Sequence, residues 1–189
     1  MGDEFKLTIV EEFNPQWISG RDVLGLLKDI PNPVGIEIGV DEAPTSWWFL
    51  KNREDLRLYG VDPYLEYNDW YPGGFISQDS NNTKFQKMKE RLEPFGDRWK
   101  HYRLTSDDAL PLFEDNSYDF IFIDGLHEYE QVLKDCRNYW PKIKNGGIFS
   151  GHDYKVIAGV GKAVDEFAAE IGATVNYLPD NDVWWWTKF

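Results

Sequence analysis

Phe120, Ile121, Phe122 and Ile123 follow one another without a polar break and stop at Asp124. A short continuous apolar run of this kind predicts a strand buried on both faces of a parallel sheet. Val34 to Val40, Leu56 to Val61, Trp99 to Leu104 and Ile148 to Gly151, in part interrupted by polar residues, read as four more strands. Between them the apolar residues change to helical spacing. Pro44 opens a short helix over Thr45 to Lys51. Phe85, Met88 and Leu92 mark a helix that Pro94 and Gly96 end. Asp107 to Phe113 reads as a short helix. Tyr129, Val132, Leu133, Cys136, Trp140 and Ile143 form one apolar stripe, and Val160, Ala163, Val164, Phe167 and Ile171 form another.

The two ends of the pattern differ from its middle. Ser19 to Asp22 fits a capping box ahead of Val23, Leu26, Leu27 and Ile30, and Pro31-Asn32-Pro33 stops that helix. At the other end, Thr174 to Leu178 and Val183 to Thr187 flank Pro179-Asp180-Asn181-Asp182, as in a hairpin. Five alternations of strand and helix followed by a hairpin predict an α/β fold. The expected architecture is one Rossmann-like, doubly wound sheet, mostly parallel, with an antiparallel strand contributed by the hairpin. One domain over residues 1–189 is expected, with a helical segment at 1–33 and an aromatic, lid-like loop at 64–79.

Composition narrows the class. The chain has 189 residues, a net charge of −13, and 42% hydrophobic residues, enough to bury a sizeable core. The acidic balance repels phosphate backbones, which argues against nucleic acid as a partner. One cysteine, Cys136, excludes an intrachain disulfide; on an apolar helical stripe it reads as a buried, inert thiol. Met1 to Val10 lacks the basic and then apolar pattern of a signal peptide. No run approaches the length of a membrane span. A soluble, cytoplasmic protein acting on a small molecule is expected, and an oligomer is compatible with the sequence.

The candidate chemistry gathers at strand ends, where open α/β sheets bind ligands. Asp124 ends one strand and His127 follows three residues later; Gly151 ends another and leads into His152-Asp153. Gly39 follows the first strand, in a turn that only partly resembles the dinucleotide fingerprint, since Asp41 and Pro44 stand where that motif has glycines. Asp62 ends the second strand, where an acid either holds ribose hydroxyls or simply makes an Asp-Pro turn. His127 is either a functional imidazole or a cap of the next helix, and Asp153 either a ligand or a turn residue. Tyr64, Tyr67, Trp70, Tyr71 and Phe75 are either a lid over the acceptor, a packed surface loop or an oligomer contact, and a loop of this length favours the lid. Trp184-Trp185-Trp186 reads as strand packing with alternate rings on opposite faces. Gly159-Val160-Gly161-Lys162 lacks the glycine and hydroxyl positions of a P-loop and reads as a loop entering the last helix.

Ile36-Glu37-Ile38-Gly39-Val40, Tyr59-Gly60-Val61-Asp62-Pro63-Tyr64, Ile123-Asp124-Gly125-Leu126-His127-Glu128-Tyr129 and Gly146-Gly147-Ile148-Phe149-Ser150-Gly151-His152-Asp153-Tyr154 together resemble class I S-adenosylmethionine-dependent methyltransferases. The closer resemblance is to the small O-methyltransferases that tailor macrolide sugars and cephalosporins, with catechol O-methyltransferases more distant. It spans about Val34 to Phe189 and implies a seven-stranded sheet whose last strand is antiparallel. It implies S-adenosylmethionine as cofactor, held by Glu37, Gly39, Thr45, Ser46, Asp62, Ser106, Asp107 and Asp124. It implies a divalent metal at Asp124, His152 and Asp153, and His127 as the base that takes the acceptor's proton beside Asp124. His152 stands where the catechol type has an acid; magnesium prefers an all-oxygen shell and imidazole suits transition metals, so either the ion is not magnesium, or His152 does not ligate it directly, or no ion is bound. The expected reaction is methyl transfer to a hydroxyl oxygen of a sugar or phenol-like molecule. Two rivals remain: a nicotinamide-dependent oxidoreductase on a similar sheet, and a cofactor-binding or interaction protein without catalysis.

Overall fold

A computed structural model describes residues 14, 16, 18–68 and 72–189. Met1 to Val10, where a signal peptide was considered, and the aromatics Trp70 and Tyr71 lie outside these residues. The strands are β1 (Val34–Ile38), β2 (Arg57–Val61), β3 (Tyr67–Asn68), β4 (Phe75–Ile76), β5 (Trp99–Tyr102), β6 (Tyr118–Ile123), β7 (Ile143–Gly151), β8 (Asn176–Leu178) and β9 (Val183–Thr187). The helices are α1 (Val23–Leu26), α2 (Pro44–Asn52), α3 (Gln78–Leu92), α4 (Ser106–Ala109), α5 (Tyr129–Tyr139) and α6 (Ala158–Ile171).

Seven strands form one sheet in the order β5-β2-β1-β6-β7-β9-β8. β5, β2, β1, β6 and β7 are parallel, and β9 runs antiparallel to both β7 and β8. This is the doubly wound sheet with an antiparallel last strand that the pattern predicts. The chain runs outward from β1 through β2 to β5, then returns to start again at β6 on the other side of β1. The strand order therefore reverses between β1 and β6, and a ligand crevice belongs there.

The apolar run of β6 supplies both faces of the sheet. Phe120 and Phe122 join a core with α1, α2 and α3, whereas Ile121 and Ile123 join one with α5 and α6. Phe49 of α2 meets both phenyl rings edge-on, at 5.4 and 6.3 Å. Trp184 and Trp186 are buried on the α5/α6 side and Trp185 packs on the other, the alternation expected of a strand. Cys136 is fully buried, and burial pushes its thiol pKa up, so it is a packing residue.

Several local expectations change. The N-terminal helix is the single turn α1, and the residue before it, Asp22, makes no side-chain cap. Its carboxylate instead meets Arg21 and Asn181, so the capping-box reading is corrected: side-chain partners, one of them 159 residues away, took the capping group. Residues 64–79 are not all loop, since β3 pairs antiparallel with β4 and α3 begins at Gln78. Gly159 and Gly161 lie inside α6, not in a loop before it. A Cβ at Gly161 would come within 2.5 Å of the Tyr154 carbonyl, so close packing of the helix start explains that glycine. β7 begins at Ile143, five residues before the predicted start, with an irregular register against β6.

Candidate active site

The carboxyl ends of β1, β6 and β7 bring the site together. Ile38 pairs with Ile123, and Ile123 with Gly151. The ladder continues one residue further, through Asp124 N–H to Ile38 C=O at 2.8 Å and His152 N–H to Ile123 C=O at 3.1 Å. Gly39, Asp124 and His152 consequently stand abreast at the switch point. Gly39 has φ 84°, and a Cβ there would lie 2.1 Å from the Asp124 carbonyl oxygen. The close approach that requires glycine is thus to the β6 end of the chain itself.

Asp124, His127, His152 and Asp153 form one cluster. His127 Nε2 lies 2.9 Å from an Asp153 carboxylate oxygen and 3.9 Å from Asp124. His152 Nδ1 lies 3.1 Å from Asp153 and 3.5 Å from Asp124. Asp153 sits in the left-handed region at φ 61°, which Asp tolerates better than most residues and which turns its carboxylate back between the two rings. His127 does not cap α5: its ring points at the acids, so the cap alternative finds no support. Burial alone would lower both imidazole pKa values, but the two carboxylates prevail and raise His127 to about 9 and His152 to about 10. The same contacts overcome burial to hold Asp124 well below the usual carboxylate range.

The donor set fits a cation. Ligand atoms of Asp124, His152 and Asp153 all lie within 4.8 Å of one another. Buried His127 Nε2 has no aligned hydrogen bond despite its close approach to Asp153. A cavity of about 10 Å³, room for one water, borders Asp124, His127 and His152 but not Asp153. Imidazole nitrogens among carboxylates suit a transition metal better than magnesium.

The predicted cofactor residues are reached from the β1 and β2 ends. Glu37 is buried and accepts a hydrogen bond from the Ser46 hydroxyl; burial drives its pKa well up. Thr45 Oγ1, also buried, accepts from the Gly20 N–H at 3.3 Å. Asp62 is the most heavily engaged. One carboxylate oxygen accepts from the N–H groups of Val40 and Asp41 at 2.9 and 3.0 Å, and the other accepts from Tyr64 N–H at 2.9 Å. Three of roughly four lone-pair positions are taken, so Asp62 shapes the β1 loop and has one position left for a ligand hydroxyl. Asp62 is more than an Asp-Pro turn residue, because its bonds reach across 22 residues to Val40.

Ser106 and Asp107, at the start of α4, face α5 rather than the cluster. Ser106 Oγ accepts from Gln131 Nε2 at 3.1 Å, and Asp107 pairs with Lys134 at 2.6 Å. Behind them lies buried Asp135, whose carboxyl is raised by burial to about 6 despite hydrogen bonds from Ser106 and Gln131. An acid with a raised native pKa holds its proton more tightly folded than unfolded. Its stability contribution is therefore greatest below about pH 4 and is lost as pH rises through 6. Asp135→Asn is expected to gain about 3 kcal/mol at pH 8 and little at pH 4, read as the difference between urea melts of the two proteins. An equal effect at both pH values would show that Asp135 is not titrating in this range.

Two residues that matter here escaped the sequence reading. Tyr64, grouped there with the lid aromatics, is 1% exposed and packs under the β1 loop; it is corrected from lid to core. Phe75 is exposed and Tyr67 half-buried. Asp182, read only as a hairpin residue, grips the turn after Asp153: its carboxylate accepts from the N–H groups of Lys155 and Val156 and from the Tyr177 hydroxyl at 2.9 to 3.0 Å. Nothing local signals either role, since both depend on partners 23 or more residues away. Among the described residues no helix is long and apolar enough to cross a membrane.

A family profile described as a methyltransferase domain matches residues 36–154, a span that runs from within β1 to Tyr154 and contains every cluster residue. An uncharacterized protein of Acanthamoeba polyphaga mimivirus is 28% identical over 145 residues, covering 73% of this chain; the chain spans 60% of that relative's length. The solved O-methyltransferase NovP is similar with a TM-score of 0.64 at 18% identity, over 90% of this chain and 76% of that one. TomG of Streptomyces achromogenes, an O-methyltransferase of tomaymycin synthesis solved with S-adenosylmethionine, has a TM-score of 0.63 at 14% identity, over 98% and 85% of the two chains. At these identities the solved structures show a common fold.

Proposed function

The chain belongs to the methyltransferase-domain family, and from that premise we propose that it transfers a methyl group from S-adenosylmethionine to a hydroxyl oxygen of a small molecule, assisted by a divalent ion. The observation that carries the oxygen and ion assignment is the cluster of Asp124, His127, His152 and Asp153 beside Gly39 at the switch point. Asp62, Asp124 and Asp153 lie at the carboxyl ends of β2, β6 and β7, a setting suited to a cationic donor bearing ribose hydroxyls. Asp62 and the 39–43 loop would hold its ribose, and Thr45 and Ser46 open α2 where helix N–H groups favour a carboxylate.

S-adenosylmethionine supplies an electrophilic methyl group, and a bound divalent ion lowers the pKa of a hydroxyl it touches. Asp124, His152 and Asp153 would hold that ion. His127, with a buried Nε2 lacking an aligned hydrogen bond, is placed to accept the hydroxyl proton once a cation balances Asp124 and Asp153. The rest is positioning, the main demand of an in-line displacement. A ring-bearing acceptor, sugar or phenol-like, suits the exposed apolar Leu65, Leu126 and Val156 on loops that follow β2, β6 and β7, together with exposed Phe75 of β4.

Calorimetry tests the reading. S-adenosylmethionine and its demethylated product are expected to bind in the micromolar range, about −8 kcal/mol. Asp62→Ala is expected to weaken both by about 1.5–3 kcal/mol and, because three N–H groups lose their acceptor, to lower the melting temperature as well. Saturable binding of a nicotinamide dinucleotide with no heat from either ligand would reverse the assignment to an oxidoreductase. Donor binding with no transfer to a panel of phenols and sugars would favour a non-catalytic binding protein.

A further inference from the structure

Tyr64 is buried yet sits at φ 49°, a backbone state that bulky residues rarely adopt. Such a state persists when its surroundings over-determine it. Here the Tyr64 N–H donates to Asp62 at 2.9 Å, its hydroxyl donates to the Asp41 carbonyl at 2.6 Å, and its carbonyl accepts from Gln78 Nε2 at 2.8 Å. The ring is packed against Phe85 and His101, with centroids 5.1 and 5.6 Å away.

The loop it reaches has little conformational preference of its own. Gly39, Asp41 and Ala43 lie at φ 84°, 50° and 64°, and the last two lack glycine's freedom. Bonds from outside hold it in place. Asp62 takes the Val40 and Asp41 N–H groups, Lys84 pairs with the Asp41 carboxylate at 2.5 Å, and Arg91 reaches the Glu42 carbonyl. Tyr64 adds the bond to the Asp41 carbonyl and, through its own N–H, ties that bond to the acid itself.

We propose that Tyr64 is a positioning residue for the methyl-donor site: it locks the 39–43 loop to the strand end bearing Asp62, so that loop and acid present one preset surface to the donor. The proposal rests on the methyltransferase reading and extends it to a residue that need not touch the donor. A loop left free to move would have to be ordered on binding, and affinity would fall by that cost.

Tyr64→Phe keeps the ring and the strained backbone and deletes only the hydroxyl. The dissociation constant for the demethylated donor is expected to rise about five- to tenfold, the scale of one buried hydrogen bond. Hydrogen exchange in the peptide containing Asp41 and Glu42 is expected to quicken. Tyr118→Phe, at another buried tyrosine remote from the loop, is expected to leave both readouts at wild-type values, which general loosening would not. A Tyr64→Phe constant within about twofold of wild type overturns the proposal, as does an equal shift in Tyr118→Phe. Should Tyr64→Phe not fold, Lys84→Met releases the same loop from its other side, and an unchanged constant there overturns it equally. Wild-type protein that binds no donor defeats the methyltransferase reading itself, an outcome distinct from donor binding that ignores Tyr64.

Discussion

Gly39→Ala is expected to destabilise the fold by about 3–5 kcal/mol, at the severe end for a single substitution. Two costs combine. An L-residue held in the left-handed region costs about 1–2 kcal/mol, and Gly39 has φ 84°. The new Cβ would also stand 2.1 Å from the Asp124 carbonyl oxygen and 2.5 Å from its carbon. Those are backbone atoms in the centre of the sheet, so no flexible side chain can yield, and β6 must move away from β1. Gly125→Ala is the matched control: its Cβ would meet Ile38 at 3.5 Å, ordinary contact, with no positive φ. Urea denaturation of the two variants provides the comparison. Equal stability in both would mean that the β1–β6 approach is looser than described, and that Gly39 serves only the ligand.

On the proposed metal-assisted reaction, Asp124→Asn and Asp153→Asn are each expected to lower methyl transfer by about 10²–10⁴-fold, since a neutral amide oxygen is a poorer ligand and would not balance a bound cation. Metal analysis of the purified variants should show ion content falling with activity. A chelator should inactivate wild type, and a transition-metal ion should restore it better than magnesium, because His152 offers a nitrogen to the site. His127→Ala separates a second role. It is expected to retain donor and ion but to lose about 10²–10⁴ in turnover, the usual worth of general base catalysis. Activity that ignores the chelator would remove the ion and leave the Asp–His contacts of the cluster as the whole device. Full activity in His127→Ala would reduce that residue to a partner of Asp153.

Much of this molecule is legible along the chain. Buried parallel strands are written as local apolar runs, so Val34–Ile38, Arg57–Val61 and Tyr118–Ile123 emerge close to where they are found. The acids and imidazoles that end such strands are equally visible, because a polar residue after an apolar run marks a strand's carboxyl end. That the ends of β6 and β7 meet follows from the alternation of elements, and with it the grouping of Asp124, His152 and Asp153.

Other features have no local signature. The Ser19–Asp22 segment carries a capping pattern, yet Asp22 spends its carboxylate on Arg21 and on Asn181, 159 residues away. Tyr64 looks like its aromatic neighbours in the 64–79 segment until the β1 loop is folded over it. Asp62 and Asp182 look like turn residues until Val40 and Lys155 bring their N–H groups to them. By itself, then, the sequence determined most of the strands and helices, their alternation along the chain, and the residue types at the strand ends, because periodicity and burial are properties of neighbouring residues. The tertiary structure alone decided which carboxylates hold backbone and which face one another across the site, because a hydrogen bond's second partner is chosen by where distant segments come to rest.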